Sequence, residues 1–179
     1  MAQITIEGID EWLAALELTQ KQTEKILKRS VYPGAKIVAD VCRQQINSLV
    51  VDNTLFAWSP MRKGITGGWK KALQESMGLS HFRHTHDGWD VKLGFDGYSK
   101  IQENRGYVNG KKVTIYNSNR NPEHMIPNAV IARTTEKGNG TNLPAQPFMS
   151  VTITRSRANA ERVMGEQFID ELVNFLGKH

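Results

Sequence analysis

The chain has 179 residues, of which 39% are hydrophobic and 23% charged, with a net charge of +5 and a pI near 9.4. That size suits one domain able to bury a substantial core. A mean hydropathy of -0.45, with no stretch near the roughly 20 apolar residues of a spanning helix, argues against a membrane protein. The opening MAQITIEGIDEW lacks the basic start and apolar run of a secretory signal, so the chain is expected to fold in the cytoplasm where it is made. A single cysteine, Cys42, allows no internal disulfide and no cysteine metal site. It falls on the apolar side of a predicted helix and reads as a small core residue.

In chain order, Ile4 and Ile6 alternate with polar residues as in a short strand that Gly8 breaks. Ile9, Trp12, Leu13 and Leu16 follow at helical spacing, with Asp10 and Glu11 in the first turn, where the helix dipole favours acids. Thr19 and Gln22 have the spacing of a capping box, which predicts a second helix burying Ile26 and Leu27. Pro33 suits the first turn of another helix. In that helix Ala35, Val38, Ala39, Cys42, Ile46 and Leu49 form one apolar stripe. Residues 50–65 read as a loop carrying Phe56, Trp58 and Pro60. Thr66 is placed to cap a short helix in which Trp69, Ala72, Leu73 and Ser76 share a face. Trp69 is expected to anchor the core. Trp58, in a polar loop bounded by proline, is expected at an interface.

From Gly78 the period becomes two. Trp89, Val91, Leu93 and Phe95 alternate with Asp90, Lys92 and Gly94, the pattern of a half-buried strand. Asp87–Gly88 is a turn signal between that strand and HFRHTH. Further alternating runs include Val113 and Ile115, and residues 128–134. YVNGKK, NSNRNPEHMIPN and EKGNGTNLP are rich in Gly, Asn and Pro and read as partner-ordered loops. The chain closes on a long helix with Ala160, Val163, Met164, Phe168, Leu172 and Phe175 as its stripe. The fold class is therefore α+β: a small antiparallel sheet packed by a long central helix and a long C-terminal helix, with extended polar loops. The expected organisation is a single domain over 1–179. Residues 1–49 supply the N-terminal strand and helices, 50–147 the loops, short helix and antiparallel strands, and 148–179 the C-terminal helix.

Catalytic chemistry finds few residues to rest on. There is no G-x-S-x-G elbow, no phosphate-cradling G-x-x-x-x-G-K-[ST] and no H-E-x-x-H, and the 18 acids are scattered. His81, His84 and His86 are the weak candidates for a metal site, but Arg83 stands among them and no third ligand has a fixed spacing. A polar strand face or a pH-responsive contact is the plainer reading of these histidines. No cofactor and no small-molecule substrate is expected. The positive charge is concentrated: residues 92–157 carry ten Lys or Arg against four acids, a net of +6. Lys111, Lys112, Arg120, Arg133, Lys137, Arg155 and Arg157 suit phosphate contacts, with Tyr107 and Tyr116 for stacking. A basic nucleic-acid-binding module is thus the alternative function, although no nucleic-acid-binding motif appears.

The order of several short motifs resembles the tail-completion proteins of long-tailed phages, the gene-product-ten-type neck family. The motifs are ITIEGIDEWLAAL, then the long helix GAKIVADVCRQQI, then Pro60, Thr66, Gly67, Trp69, Lys70, Lys71 and Ser76. VKLGF follows as a strand ending in glycine, then Glu136 and Gly138, then PAQPFM before the last helix. The resemblance covers nearly the whole length. Ser99 to Asn128 is longer and more basic than the family pattern, the turn reads EKGNGT, and Ser150–Val151 replaces the usual Pro-Ala. The resemblance implies a non-enzymatic virion protein that acts as a ring, expected to be hexameric. Its partners would be further copies of itself, a tail terminator or tail tube protein, and a head-side adaptor or stopper. DNA would pass the lumen without specificity. The location would be the host cytoplasm during assembly and the neck of the virion afterwards. Under that reading Phe56, Trp58, Pro60, Tyr107, Lys111, Lys112, Arg120, Lys137, Pro147 and Phe148 are the interface candidates. Lys111, Lys112, Arg120 and Arg133 are the lumen-facing candidates.

Overall fold

A computed structural model describes residues 2–6, 20–52, 63–85, 88–99, 104–108, 111–115, 126–140 and 143–176. The predicted helix from Ile9 to Leu16 and the Thr19 cap lie outside them. The chain is α+β. Helix α1 spans Gln20–Ser48, α2 Gly67–Ser76, α3 Asn128–Lys137 and α4 Phe148–Leu176. Strands β1 (Ala2–Ile6), β2 (Met77–Leu79), β3 (Arg83–Thr85) and β4 (Gly88–Phe95) form one sheet. β5 (Tyr98–Ser99) pairs with β8 (Ile126–Pro127), and β6 (Asn104–Val108) with β7 (Lys111–Ile115).

The two helices expected around Pro33 are one. Proline in a helix interior costs roughly 3 kcal/mol, because it removes a hydrogen bond and crowds the carbonyl four residues back. Here the buried stripe runs unbroken on both sides of it, through Ile26, Leu27, Ser30 and Val31, then Ala35, Val38, Ala39, Cys42 and Ile46. Each large apolar side chain so buried contributes about 1.5–3 kcal/mol, which outweighs the defect. Ser30 Oγ also donates to the Ile26 carbonyl at 2.8 Å.

The residues form two compact units, each assembled from distant segments. One comprises Met1–Cys42, Leu79–Gly94 and Thr152–His179; the other Arg43–Gly78 and Phe95–Val151. In the first unit β4 is central, with β1 antiparallel along one edge (Ile4 opposite Val91) and β3 along the other (His84 opposite Trp89). Thr85 stands opposite Gly88, and the connecting His86 and Asp87 lie outside the described residues. Trp89, Val91 and Leu93 are buried, as their alternation requires. Leu27 meets Trp89, and Val31 and Ala35 meet Val91, while Phe168 and Met164 of α4 close over the same clusters. Phe82 stacks on Trp89 with ring centroids 4.9 Å apart. α1 and α4 approach so closely that a Cβ on Gly34 would lie 2.3 Å from Met164 Cγ and 3.1 Å from the Ala160 carbonyl. Only glycine fits there without a shift.

In the second unit Thr66 caps α2, its hydroxyl accepting from the Trp69 amide at 3.2 Å, and Leu73 is fully buried. Trp69 itself is half-buried. Residues 128–134, expected as a strand, are helical. Four consecutive apolar residues, Ala129 to Ala132, give no clear period. The buried set Asn128, Ile131, Ala132 and Thr135 has helical spacing, and Pro127 precedes its first residue. α2 and α3 pack together.

Candidate functional site

Residues 50–65, 99–128 and 135–147 hold the Phe56–Pro60 loop and the Gly-, Asn- and Pro-rich runs, so they are the segments from which working surfaces are expected, and all belong to the second unit. That unit carries 12 Lys or Arg against 6 Asp or Glu, a net of +6, whereas the first unit carries 11 against 12. The basic excess of the chain therefore belongs to the loop-bearing unit.

The first segment is pinned at its base. Val51 and Ile65 form a parallel bridge, the Asp52 amide donates to the Ile65 carbonyl at 2.8 Å, and the Ile65 amide to the Val50 carbonyl at 3.0 Å. The Lys63 amide donates to Asp52 Oδ2 at 2.8 Å. Phe56, Trp58 and Pro60 lie outside the described residues. Below this base, Lys70 Nζ donates to the carbonyls of Asn47 and Leu49 at 2.7 and 3.1 Å. A cation is favourable there, because the last carbonyls of α1 lack helical partners and carry the negative end of its dipole.

The second segment is closed by β5 and β8, with Tyr98 opposite Pro127 and Ser99 opposite Ile126. Asn128 reinforces the closure: its amide donates to the Gly97 carbonyl at 3.0 Å and its Nδ2 to the Asp96 carbonyl at 2.7 Å. YVNGKK, expected as a loop, contributes to a hairpin instead. Val108 stands opposite Lys111 and Tyr107 opposite Lys112, so these three interface candidates sit on strands. Asn-Gly between strands is a strong sequence signal for a two-residue hairpin turn, and Asn109 and Gly110, which lie between β6 and β7 in sequence, fall outside the described residues. Arg120 and Tyr116 lie outside the described residues.

The third segment joins α3 to α4 through a tight turn. Gly138 has φ 70°, and a Cβ there would lie 2.6 Å from the Leu143 carbonyl oxygen and 2.9 Å from the Ala145 nitrogen. Glu136 reaches across the turn. Its Oε2 accepts from the Met149 amide at 2.7 Å, and its Oε1 accepts from the Ser150 amide at 3.0 Å and from the Ser150 hydroxyl. α4 has no acid of its own in its first turn, so Glu136 supplies the carboxylate that its exposed amides attract. Gln146 ties this segment to the first one. Its backbone amide donates to the Thr135 carbonyl at 2.8 Å, while its side chain accepts from the Val50 amide at 2.7 Å and donates to the Val50 carbonyl at 3.2 Å. Beside it lies a cleft of about 290 Å³ lined by Gln45, Ser48 and Leu49 of the α1 end and by Ala145 to Phe148 and Val151.

Among the interface candidates here, Pro147 and Lys137 are exposed, as is the lumen candidate Arg133 on the outer face of α3. Phe148 is corrected: it is 3% exposed and edge-on to Phe95 at 5.9 Å, a packing position rather than a contact surface.

His81 and His84 are exposed, and His84 lies against the Trp89 ring at 4.7 Å. His86 lies outside the described residues, among which no three His, Cys, Asp or Glu are placed to hold a metal ion. What the alternation did not reveal is Asp90. It was expected on the polar strand face, yet it is fully buried, with Arg83 Nε at 3.0 Å and Lys92 Nζ at 3.5 Å. Among the described helices none is long and apolar enough to cross a membrane. No protein family, curated protein or solved structure matches this chain.

Proposed function

We propose that the chain is a structural protein of a tailed phage or prophage, completing the head-proximal end of the tail and joining it to the head connector as a ring. The observation that carries this reading is the physical connection between two separated motifs of the neck-family pattern. Glu136–Gly138 and Pro147–Phe148 stand about ten residues apart in sequence, yet Glu136 caps the helix that the Pro-Phe pair opens, and Gly138 permits the turn between them. A degenerate pattern whose members act on one another is a stronger resemblance than the same residues scattered. Lys70 supports it likewise, as the basic residue after Thr66–Gly67 that closes the end of α1.

In this reading the protein works without catalysis. The helices and sheet provide rigid bodies, and the segments rooted in the basic unit present surfaces to the tail terminator or tube on one side and to the adaptor or stopper on the other. Basic residues facing a lumen tolerate passing DNA, and those facing an acidic partner speed association. The test is electron microscopy of tails assembled with and without the purified chain. Added ring density at the head-proximal end, together with restored head joining, is the expected result. A chain that never associates with tails or connectors refutes the proposal.

The charge segregation favours one second reading, a nucleic-acid-binding module. A salt titration on short duplexes separates the two, because phosphate contacts made without specificity weaken steeply with salt. Nanomolar binding that persists at physiological salt would favour the module.

A further inference from the structure

The last turns of α4 are apolar on both sides. Leu172 is buried and Phe168 and Phe175 half-buried, while Ile169, Val173 and Leu176 are 61%, 64% and 56% exposed at spacings of four and three, a stripe facing the other way. A helix that is apolar all round is one that is covered all round. The border of this stripe is negative. Glu166 and Asp170 flank it, the last turn holds no basic residue, and the C-terminal end of a helix dipole adds partial negative charge. Glu166 is paired with Arg162, but both are exposed and such a pair is weak. Asp170 makes no ion pair among the described residues.

The outer face of α3 has the opposite character. Val130 is 48% exposed, and Arg133 and Lys137 follow it on the same face. Glu136 is the only acid of α3 and its carboxylate is committed to the amides of α4, and Arg133 and Lys137 make no ion pair among the described residues. We propose that the α4 stripe of one copy seats on the α3 outer face of a second copy. This rests on the ring reading above and names its contact. The two patches differ, so the contact is head-to-tail and generates a ring when its rotation closes. Valine and leucine of one copy cover Val130 of the next, while Asp170 and Glu166 meet Arg133 and Lys137. Charge complementarity of this kind sets register and on-rate and weakens with salt.

The experiment is sedimentation velocity on the full chain over a range of concentration and salt, with far-UV circular dichroism confirming the fold of each variant. The wild type is expected to self-associate, less so at high salt. Val173→Asp, the pair Arg133→Glu/Lys137→Glu and the pair Glu166→Lys/Asp170→Lys should each weaken association by at least about tenfold, the scale of losing a central contact. Combining both charge reversals in one chain should restore it, because every contact then pairs opposite charges again. A wild type that stays monomeric at every concentration overturns the proposal, as does a Val173→Asp chain that associates normally. Failure of the combined reversal to recover association also overturns it, since the stripe then takes a different occupant. A chain that remains monomeric alone yet joins tails would sink this contact and leave the neck reading standing.

Discussion

Replacing Glu136 with alanine removes two charge-assisted hydrogen bonds to the first turn of α4 and the hydrogen bond from the Ser150 hydroxyl. Hydrogen bonds to a charged group are worth about 1.5–3 kcal/mol each when buried, and losing an N-terminal cap costs about 0.5–2 kcal/mol. Ser150 is exposed and the amides can turn to water, so the loss should fall near the capping figure, about 2 kcal/mol. For a chain of this length that lowers the melting temperature by about 4–8 °C. Glu136→Gln keeps an acceptor and loses the charge and its interaction with the helix dipole, so it should cost about 1 kcal/mol or less. Differential scanning calorimetry measures both. Amide hydrogen exchange adds a local reading, with Met149 and Ser150 losing protection in the alanine variant before the rest of α4. Equal melting of Glu136→Ala and wild type, or equal losses for alanine and glutamine, would refute the capping role.

Three further outcomes follow from local geometry. Gly138→Ala and Gly140→Ala both place alanine at positive φ, which costs about 1–2 kcal/mol, but only the first also drives a Cβ into backbone atoms. Urea denaturation should therefore rank Gly138→Ala as clearly the more damaging. At the sheet, Asp90→Asn removes a buried charge while Arg83 and Lys92 can still reach water. Arg83→Ala/Lys92→Ala strands that charge without a partner and should cost about 3 kcal/mol, more than Asp90→Asn does, in the same assay. Leu73→Ala, in a fully buried site, should cost about 2–5 kcal/mol.

The elements readable from sequence were those whose own period identifies them. The Ala35 to Leu49 stripe, the alternation through Trp89 and Leu93, and the Thr66 cap each carry their signal within a few residues. Elements that depend on distant partners were not readable in the same way. Pro33 looked like a helix start because its local preference is for a first turn, and only burial on both sides carries α1 through it. Residues 128–134 present an apolar run without a decisive period, so packing against α2 determines their state. In YVNGKK the signal was present, since Asn109–Gly110 marks a hairpin, but its composition also fits a loop.

The candidate surface was legible only in outline. Loop composition pointed to three segments, yet nothing local shows that Gln146 joins two of them or that Glu136 caps a helix beginning twelve residues later. Asp90 was assigned to the polar side of its strand. That assignment takes one face of a sheet to be solvated, and coverage of the other face is decided by the whole fold.

The interleaving of the two units has a consequence for how the protein comes into being. The chain passes from one unit to the other at Cys42, Gly78, Gly94 and Val151, so neither unit is a continuous stretch. During synthesis, Leu27 and Trp89 emerge well before Phe168, which packs against them. A growing chain thus holds an open apolar surface until residues 152–176 are released. The α4 stripe lies in that same segment, so under the contact proposed above a copy would gain its joining surface only as its own core closes.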